Sequence, residues 1–145
     1  MAATMYLYDS FMKKVMDGSI DLDTDTFKIM IASNSYTPSQ ANHDFRDDVT
    51  NEVSGTNYTA GGATLSSVTL TLSANLLKFD AADVTWSAVT FTNGRYGVIY
   101  KSRGGAASAD ELVGYVDFGA NYSPSGSDFT IQWNASGIFT ASRTP

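Results

Sequence analysis

Apolar residues occupy every second position along much of the segment between residues 64 and 139. Val68, Leu70 and Leu72 alternate with Ser and Thr, and residues 129–133 repeat the pattern. Successive side chains of a β-strand point to opposite faces, so this alternation puts one set in a core and the other in water. The pattern therefore assigns most aromatic and aliphatic residues of this segment to a sheet core and leaves no cluster equipped for catalysis.

Turn signals divide this segment into short predicted strands. The strands are predicted at 64–72, 76–80, 83–86, 88–92, 95–101, 111–118, 128–133 and 137–140. Asn93-Gly94 is the strongest hairpin signal, since this pair favours a two-residue type I′ turn, and we expect the Trp86 segment to pair with the strand that follows. The loop 103–109 predicts a second hairpin. Turns spaced by about 8–12 residues favour antiparallel β structure over a parallel α/β sheet.

A short helix is predicted before the first strand. Its apolar face has the spacing i, i+3, i+4, i+7, i+8 and consists of Tyr8, Phe11, Met12, Val15 and Met16. Asp9 or Ser10 is expected to cap its first amides, and Gly18 to end it in a left-handed conformation. A polar turn then leads into a strand at 27–32 with Phe27, Ile29 and Ile31 on one face.

The chain of 145 residues fits one domain, which we divide into four parts. They are an N-terminal arm and helix (1–18), an irregular excursion (33–62) with a turn of helix near 44–49, a β body (63–140) and a C-terminal tail (141–145). Gly61-Gly62 ends the excursion because glycine accepts backbone angles that other residues avoid. The predicted fold class is mainly β: an antiparallel β-sandwich or jelly-roll-like single domain with one short N-terminal helix.

Composition and charge argue against several partners. The chain has no cysteine, which excludes disulfides and thiolate metal sites. Its formal net charge is -6 and its nine basic residues are scattered, so we expect no nucleic-acid binding. No basic region followed by an apolar run opens the chain, and no segment approaches the ~20 apolar residues of a membrane span, so we expect no membrane partner.

The residues that could perform chemistry are isolated. His43 lies in the polar excursion, where we expect a solvated loop histidine. Its neighbour Asp44 does not make a triad, which needs a positioned nucleophile. Asp21, Asp23 and Asp25 resemble the start of a calcium loop, but the glycine and glutamate that such a loop requires are absent. The close carboxylate pairs 47/48, 80/83 and 110/111 fit strand ends better than a hydrolase cleft. We therefore predict no catalytic, cofactor or metal site.

The aromatic residues divide into two groups by position. Trp86 and Trp133 are in phase with neighbouring apolar residues and are predicted in the core, as are Tyr96 and Tyr100. Tyrosines in irregular segments, namely Tyr36, Tyr58 and Tyr122, are expected at the surface. Exposed aromatic residues are typical of interfaces, so these three are candidates for contact with a partner.

Several segments taken together resemble a known family. They are 57–64 (Asn-Tyr-Thr-Ala-Gly-Gly-Ala-Thr), 83–86 (Asp-Val-Thr-Trp), 95–100 (Arg-Tyr-Gly-Val-Ile-Tyr), 112–118 (Leu-Val-Gly-Tyr-Val-Asp-Phe) and 129–139 (Phe-Thr-Ile-Gln-Trp-Asn-Ala-Ser-Gly-Ile-Phe). In this order they are similar to small tailed-bacteriophage virion proteins of the head decoration or cement type. The N-terminal helix followed by residues 25–32 (Asp-Thr-Phe-Lys-Ile-Met-Ile-Ala) also resembles the start of such proteins. The resemblance covers most of the chain, leaves residues 37–52 unmatched, and depends on the order and spacing of the whole set.

This resemblance implies a non-enzymatic virion structural protein without cofactors, located on the outer surface of the capsid. It would bind the major capsid protein of the assembled shell and stabilise it, as a homo-oligomer with a trimer preferred. Contacts are expected from the arm 1–8, the excursion 33–55 and the tail 141–145. The candidate interface residues are Met5, Tyr6, Leu7, Tyr36, Phe45, Tyr58, Tyr122 and Arg143.

Two other functions fit the sequence. The aromatic content and sandwich-like pattern also suit a receptor- or carbohydrate-binding module of a tail or fibre, which would show several exposed coplanar aromatic rings. A tail or connector structural protein would differ mainly in its symmetry. An enzyme is the least favoured class, because the chain has one histidine, no cysteine and no phosphate-binding loop.

Overall fold

The computed structural model describes residues 4–144, so Met1 to Ala3 of the predicted arm and Pro145 of the tail lie outside the described residues. The described chain forms ten strands, one α-helix and two 3₁₀ turns (Arg46–Asp48 and Ala107–Ala109). The helix α1 is Asp9–Met16. The strands are β1 Thr4–Leu7, β2 Phe27–Ser33, β3 Ala63–Thr64, β4 Thr69–Ser73, β5 Leu76–Asp80, β6 Val84–Thr90, β7 Gly94–Lys101, β8 Leu112–Tyr122, β9 Ser125–Ile131 and β10 Phe139–Ser142.

All strand pairs are antiparallel, and they form three sheets. A large sheet has the order β1-β8-β7-β2-β3, a three-stranded sheet the order β10-β5-β4, and β6 pairs with β9. The predicted fold class is therefore confirmed: the protein is mainly β, with antiparallel sheets, one short helix and a single domain, consistent with a β-sandwich.

Aromatic side chains join the large sheet to the two smaller ones. Phe27 of β2 contacts Phe79 of β5 edge-on at 5.5 Å, and Phe118 of β8 contacts Phe129 of β9 at the same centroid distance. Both pairs belong to one buried cluster that also contains Trp86. Each such side chain contributes about 1.5–3 kcal/mol on full burial. The predicted inward face of β2, with Phe27, Ile29 and Ile31, is confirmed.

The opposite face of the large sheet is covered by the excursion. A second buried cluster contains Met30 of β2, Val98 and Tyr100 of β7, and residues from outside the sheet such as Tyr36 and Val49. The large sheet is therefore buried on both faces. This arrangement explains why the excursion, which has little regular structure of its own, is held tightly against the sheet.

The predicted hairpin at Asn93-Gly94 is wrong. Asn93 does have a positive φ of 55°, but β6 pairs with β9, whereas β7 pairs with β2 and β8. The Trp86 segment consequently does not pair with β7 either. The turn is fixed by other segments: the Asn93 carbonyl accepts from the Asn34 amide at 3.0 Å, and the Asn93 amide donates to the Ser123 hydroxyl at 2.9 Å. The chain crosses here from one sheet to another. The hairpin predicted at 103–109 is confirmed between β7 and β8.

Two strand boundaries differ from the prediction for a local reason. The segment 64–72 is interrupted between β3 and β4, where Ser67 has a φ of 51°. In contrast, 83–86 and 88–92 form one strand, β6, with an irregularity at Ala88, whose φ is 47°. The apolar phase shifts by one residue at both places, from Leu65 to Val68 and from Trp86 to Val89. This shift is the sequence signal of the backbone change, and the predicted boundaries did not use it.

The helix is confirmed, but its orientation and cap are corrected. Phe11 is its buried residue, whereas Met12 and Met16 are 60% and 90% exposed and do not face the core. Tyr8 is the N-cap residue, and neither Asp9 nor Ser10 supplies a side-chain cap. Gly18 has the predicted positive φ, at 83°.

Candidate interaction surface

The three-stranded sheet presents a continuous apolar face. The register pairs Leu70 with Phe79, and Leu72 with Leu77, across β4 and β5, and β10 places Ala141 beside Leu77. Residues that pair directly, or that lie two positions apart on one strand, share a face. The face therefore runs from the core outward along the β4–β5 hairpin.

Burial falls steeply along this face. Phe79 at the inner end is 1% exposed, and Leu72 near the tip of the hairpin is 71% exposed. A groove of about 420 Å³ lies at the outer end and is lined by Leu72, Ala74, Asn75, Leu77, Ala141, Ser142 and Arg143. We call it the hairpin groove. Its floor is apolar, and Arg143 brings a positive charge to it.

The hairpin tip is also apolar on its other side. Leu76 pairs with Ser73 and Ser142, is out of phase with Leu77, and is 44% exposed. Single exposed leucines are common. Here an apolar groove is continuous with the core, and a second leucine is exposed on the other face of the same hairpin. This combination is typical of a surface that contacts another protein.

The groove is held in shape by its own residues. The Asn75 side-chain amide donates to the Arg143 carbonyl at 3.1 Å, which fixes the end of β10 to the turn between β4 and β5. Ala74 in that turn has a φ of 56°. Because the walls are tied together before any partner arrives, less ordering entropy opposes binding there.

His43 is placed in a hydrogen-bonded position that the sequence did not indicate. Its Nδ1 lies 2.8 Å from the Tyr36 hydroxyl and accepts from the Ser39 amide at 3.4 Å. These two partners occupy Nδ1, so it does not contact a serine hydroxyl or a carboxylate as a triad base would. The solvated loop histidine expected from the sequence is thus half-buried and anchored.

Several of the acidic residues singled out in the sequence make structural contacts. Asp25 pairs with Lys101 at 2.8 Å and accepts from the Asp21 amide at 2.7 Å. Asp110 pairs with Arg46 at 2.8 Å, and Glu111 accepts from Arg103 at 3.0 Å. Among residues 4–144 no group of three or more His, Asp or Glu side chains has an arrangement that could hold a metal ion.

The described part of the predicted N-terminal arm is an edge strand of the large sheet. As β1 it pairs with β8, and Met5 and Leu7 pack against the core. Tyr6 is 37% exposed and its ring stacks on Tyr115 at 5.1 Å. Residues 4–7 are therefore held in the sheet by backbone pairing and by two apolar side chains, and contact with a partner through the exposed Tyr6 stays a prediction.

Tyr36 and Tyr58 are buried, which corrects their placement at the surface. Tyr58 donates to Glu52 at 2.8 Å and accepts from the Ile31 amide at 2.8 Å. Burial, the largest cause, raises the pKa of Tyr36 to about 12. Both tyrosines fix the excursion to the sheet, and neither is available to a partner in this conformation.

The remaining predicted interface residues differ in position. Tyr122 is half-buried against Phe129 at 5.6 Å. Phe45 is half-buried with the Lys14 ammonium 3.9 Å from its ring centre. Arg143 is exposed and lines the hairpin groove. Of the eight candidates, it is the one that lies at the surface identified here.

The leucines of the hairpin tip were not identified from the sequence. Alternation placed Leu72 in the core, and Leu76 was assigned no role. Two adjacent leucines in one predicted strand put an apolar side chain on each face, and this is the signal that identifies the tip. The core predictions were better for the tryptophans: Trp86 is buried and Trp133 is half-buried.

Comparison of the chain with protein-family profiles, curated proteins and solved structures finds no match. Among the described residues, the single helix is too short and too polar to span a bilayer.

Proposed function

We propose that this chain is a non-enzymatic virion structural protein that binds the outer surface of an assembled tailed-phage capsid and stabilises it. The proposal combines the ordered resemblance in the sequence with one structural observation, the open hairpin groove beside Leu72. Its partner would be the major capsid protein, and a trimer is the preferred oligomer. A protein that only binds the assembled shell shifts the equilibrium away from rupture by mass action.

The hairpin groove supports this proposal through its position and chemistry. It lies at the outer end of the apolar face that begins at buried Phe79, so burying Leu72 would extend the core across an interface. Full burial of a leucine contributes about 1.5–3 kcal/mol. One site of this size binds weakly, but an oligomer that engages several shell subunits at once gains from multivalency.

The proposal is tested with shells from a phage mutant that lacks the protein. Wild-type protein is added, and binding is measured by co-sedimentation and shell rupture by thermal scanning. Leu72→Asp places a charge in the groove and should abolish co-sedimentation. Thr71→Asp is the matched control: it adds the same charge to the same strand, on the opposite face. Shells that neither bind wild-type protein nor gain heat resistance from it would exclude the decoration function.

A receptor- or carbohydrate-binding module is favoured by a different surface. Tyr6 and Tyr115 stack at 5.1 Å with planes 22° apart, and Tyr96 meets Tyr115 edge-on at 5.9 Å. Sugar rings stack on exposed aromatic faces, but here only Tyr6 exceeds one third exposure and the third ring is perpendicular. Glycan binding that is lost in Tyr6→Ala and retained in Leu72→Asp would favour this function over decoration.

A further inference from the structure

His43 ends a chain of hydrogen bonds formed by two buried tyrosines. Its Nδ1 lies 2.8 Å from the Tyr36 hydroxyl, which lies 2.9 Å from the Tyr8 hydroxyl. Tyr8 connects β1 to α1, whereas Tyr36 and His43 belong to the excursion. The three side chains therefore join the loop 36–43 to the junction between β1 and α1.

The hydrogen bonds in this chain have one direction. The Ser39 amide can only donate, and it points at the same His43 Nδ1, so Nδ1 is an unprotonated acceptor. Tyr36 must then donate to Nδ1, and Tyr8 must donate to Tyr36. Burial raises the pKa of Tyr36 to about 12 and raises that of Tyr8 further, so both hydroxyls keep their protons over the ordinary pH range.

A proton on Nδ1 is incompatible with this arrangement. The Tyr36 hydrogen would have to turn toward Tyr8, and the Tyr8 hydrogen would lose its acceptor. The Tyr8 hydroxyl has no second hydrogen-bond partner within residues 4–144, and its side chain is fully buried. A buried donor without an acceptor is unfavourable, and the Ser39 amide would face an N–H group as well.

The surrounding charges do not cancel this effect. The Asp48 carboxylate accepts from the Asp44 and Phe45 amides, interacts electrostatically with His43, and attracts an imidazolium. Asp48 belongs to the same excursion and lies five positions along the chain, so it acts on His43 whether or not the loop is docked. Lys14 of α1 donates to the Asp44 carbonyl and has the opposite sign.

The carboxylates of Asp9 and Asp44, which border the loop, are exposed and therefore screened by solvent. The side chains that pack on the two tyrosines are uncharged. Tyr96 of β7 contacts Tyr36 edge-on at 5.9 Å, and Tyr115 of β8 packs on Tyr8 at 5.5 Å. Phenols carry no charge in acid. The requirement for an acceptor at Nδ1 is therefore the one effect that is specific to the docked loop. Proton uptake by His43 consequently favours release of the loop.

We propose that His43 is a proton-sensitive latch, which docks the loop 36–43 when neutral and releases it when protonated. Release would also remove two hydrogen bonds of Gln40. Its side-chain amide donates to the Leu7 backbone carbonyl at 2.7 Å, and its backbone carbonyl accepts from the Asp9 amide at 2.9 Å. The Leu7 carbonyl lies on the outer edge of the large sheet, so acid would uncover part of that edge. This inference does not rest on the proposed function.

Amide hydrogen exchange of Asp9 measures the latch directly, because this amide bonds to the loop. Protection factors, which correct for the intrinsic rate, are compared at about pH 7.5 and pH 5, the range in which histidines ordinarily titrate. Asp9 should lose about tenfold in protection in acid, while the central-strand amide of Ile99 should not change. Equal Asp9 protection at both values, or a parallel loss at Ile99, would refute the latch.

Two variants separate the proton from the loop itself. His43→Asn keeps an acceptor near the Nδ1 position that does not titrate, so the Asp9 protection should no longer depend on pH. Tyr36→Phe removes the donor and should give low protection at both pH values. Acid loss of protection that persists in His43→Asn would assign the pH dependence to another group and overturn the proposal. The wild-type comparison is decisive even if a variant does not fold.

Discussion

Removal of the Tyr58 hydroxyl tests whether the excursion is an integral part of the fold. This buried hydroxyl donates to Glu52 at 2.8 Å and accepts from the amide of Ile31 in β2 at 2.8 Å. It therefore joins the end of the excursion to a central strand. Tyr58→Phe keeps the ring, with its contacts to Trp86 and Phe91 at 6.2 Å, and deletes only these two hydrogen bonds.

The expected loss of stability follows from the two partners. The buried Ile31 amide is left without an acceptor, which costs about 1–3 kcal/mol, and a hydrogen bond to a charged group contributes about 1.5–3 kcal/mol. Glu52 is half-buried and still accepts a hydrogen bond from the Gly61 amide at 2.7 Å. The free energy lost with its hydrogen bond to Tyr58 is therefore at the low end of this range. We expect a total of about 3 kcal/mol, or a fall in Tm of roughly 6–12 °C for a chain of this size.

Urea unfolding followed by tryptophan fluorescence measures this loss, because Trp86 stacks on the Tyr58 ring. Tyr122→Phe is the control: its half-buried ring also packs among aromatic residues, but its hydroxyl makes no hydrogen bond to the described residues. Its stability should stay within about 0.5 kcal/mol of wild type. A loss below about 1 kcal/mol in Tyr58→Phe would refute the account of how the excursion is held.

Two further changes have defined outcomes. Gly62→Ala should lower the free energy of unfolding by at least ~2 kcal/mol in urea titration, because its Cβ would lie 1.9 Å from the Ile29 carbonyl oxygen at a φ of 79°. Gly18 has a similar φ but open space around it, so Gly18→Ala should lower the free energy of unfolding by only about 1 kcal/mol. Equal losses in the two variants would contradict the steric argument. Burial acts against the ionised form of Glu111, but hydrogen bonds from Arg103 outweigh it and hold its pKa below the ordinary 4.5. The stability that this carboxylate contributes is therefore present above pH 4.5 and lost as pH falls further. The urea midpoints of wild type and Glu111→Gln should converge in acid. A difference between the two midpoints that does not change with pH would contradict this.

The sequence predicted which segments form strands but not how they pair. Alternation is a local property, and it located β2, β5, β7 and β8 closely. Pairing depends on distant contacts, as Asn93 illustrates. Its dipeptide favours a hairpin, yet hydrogen bonds to Asn34 and Ser123 carry the chain from β6 into another sheet. A strong local signal was overridden by tertiary structure.

The site was harder to predict than the fold. Tyr36 and Tyr58 lie in irregular segments, which are usually exposed, but both are buried. Tyr36 is buried where the excursion covers one face of the large sheet, and Tyr58 is buried in the main cluster against Trp86. Leu72 has the phase of a core residue, yet its strand extends beyond the body of the protein, so it remains 71% exposed. Phase gives the face of a sheet, whereas burial depends on whether another element covers that face.

Cryo-electron microscopy of mutant shells incubated with the purified protein tests most directly whether this chain binds a capsid through its hairpin groove. The account predicts density on the outer surface at symmetry-related positions, with the β4–β5 hairpin against the shell subunits and no such density for Leu72→Asp. Bare shells, or density in which the hairpin points into solvent, would contradict it.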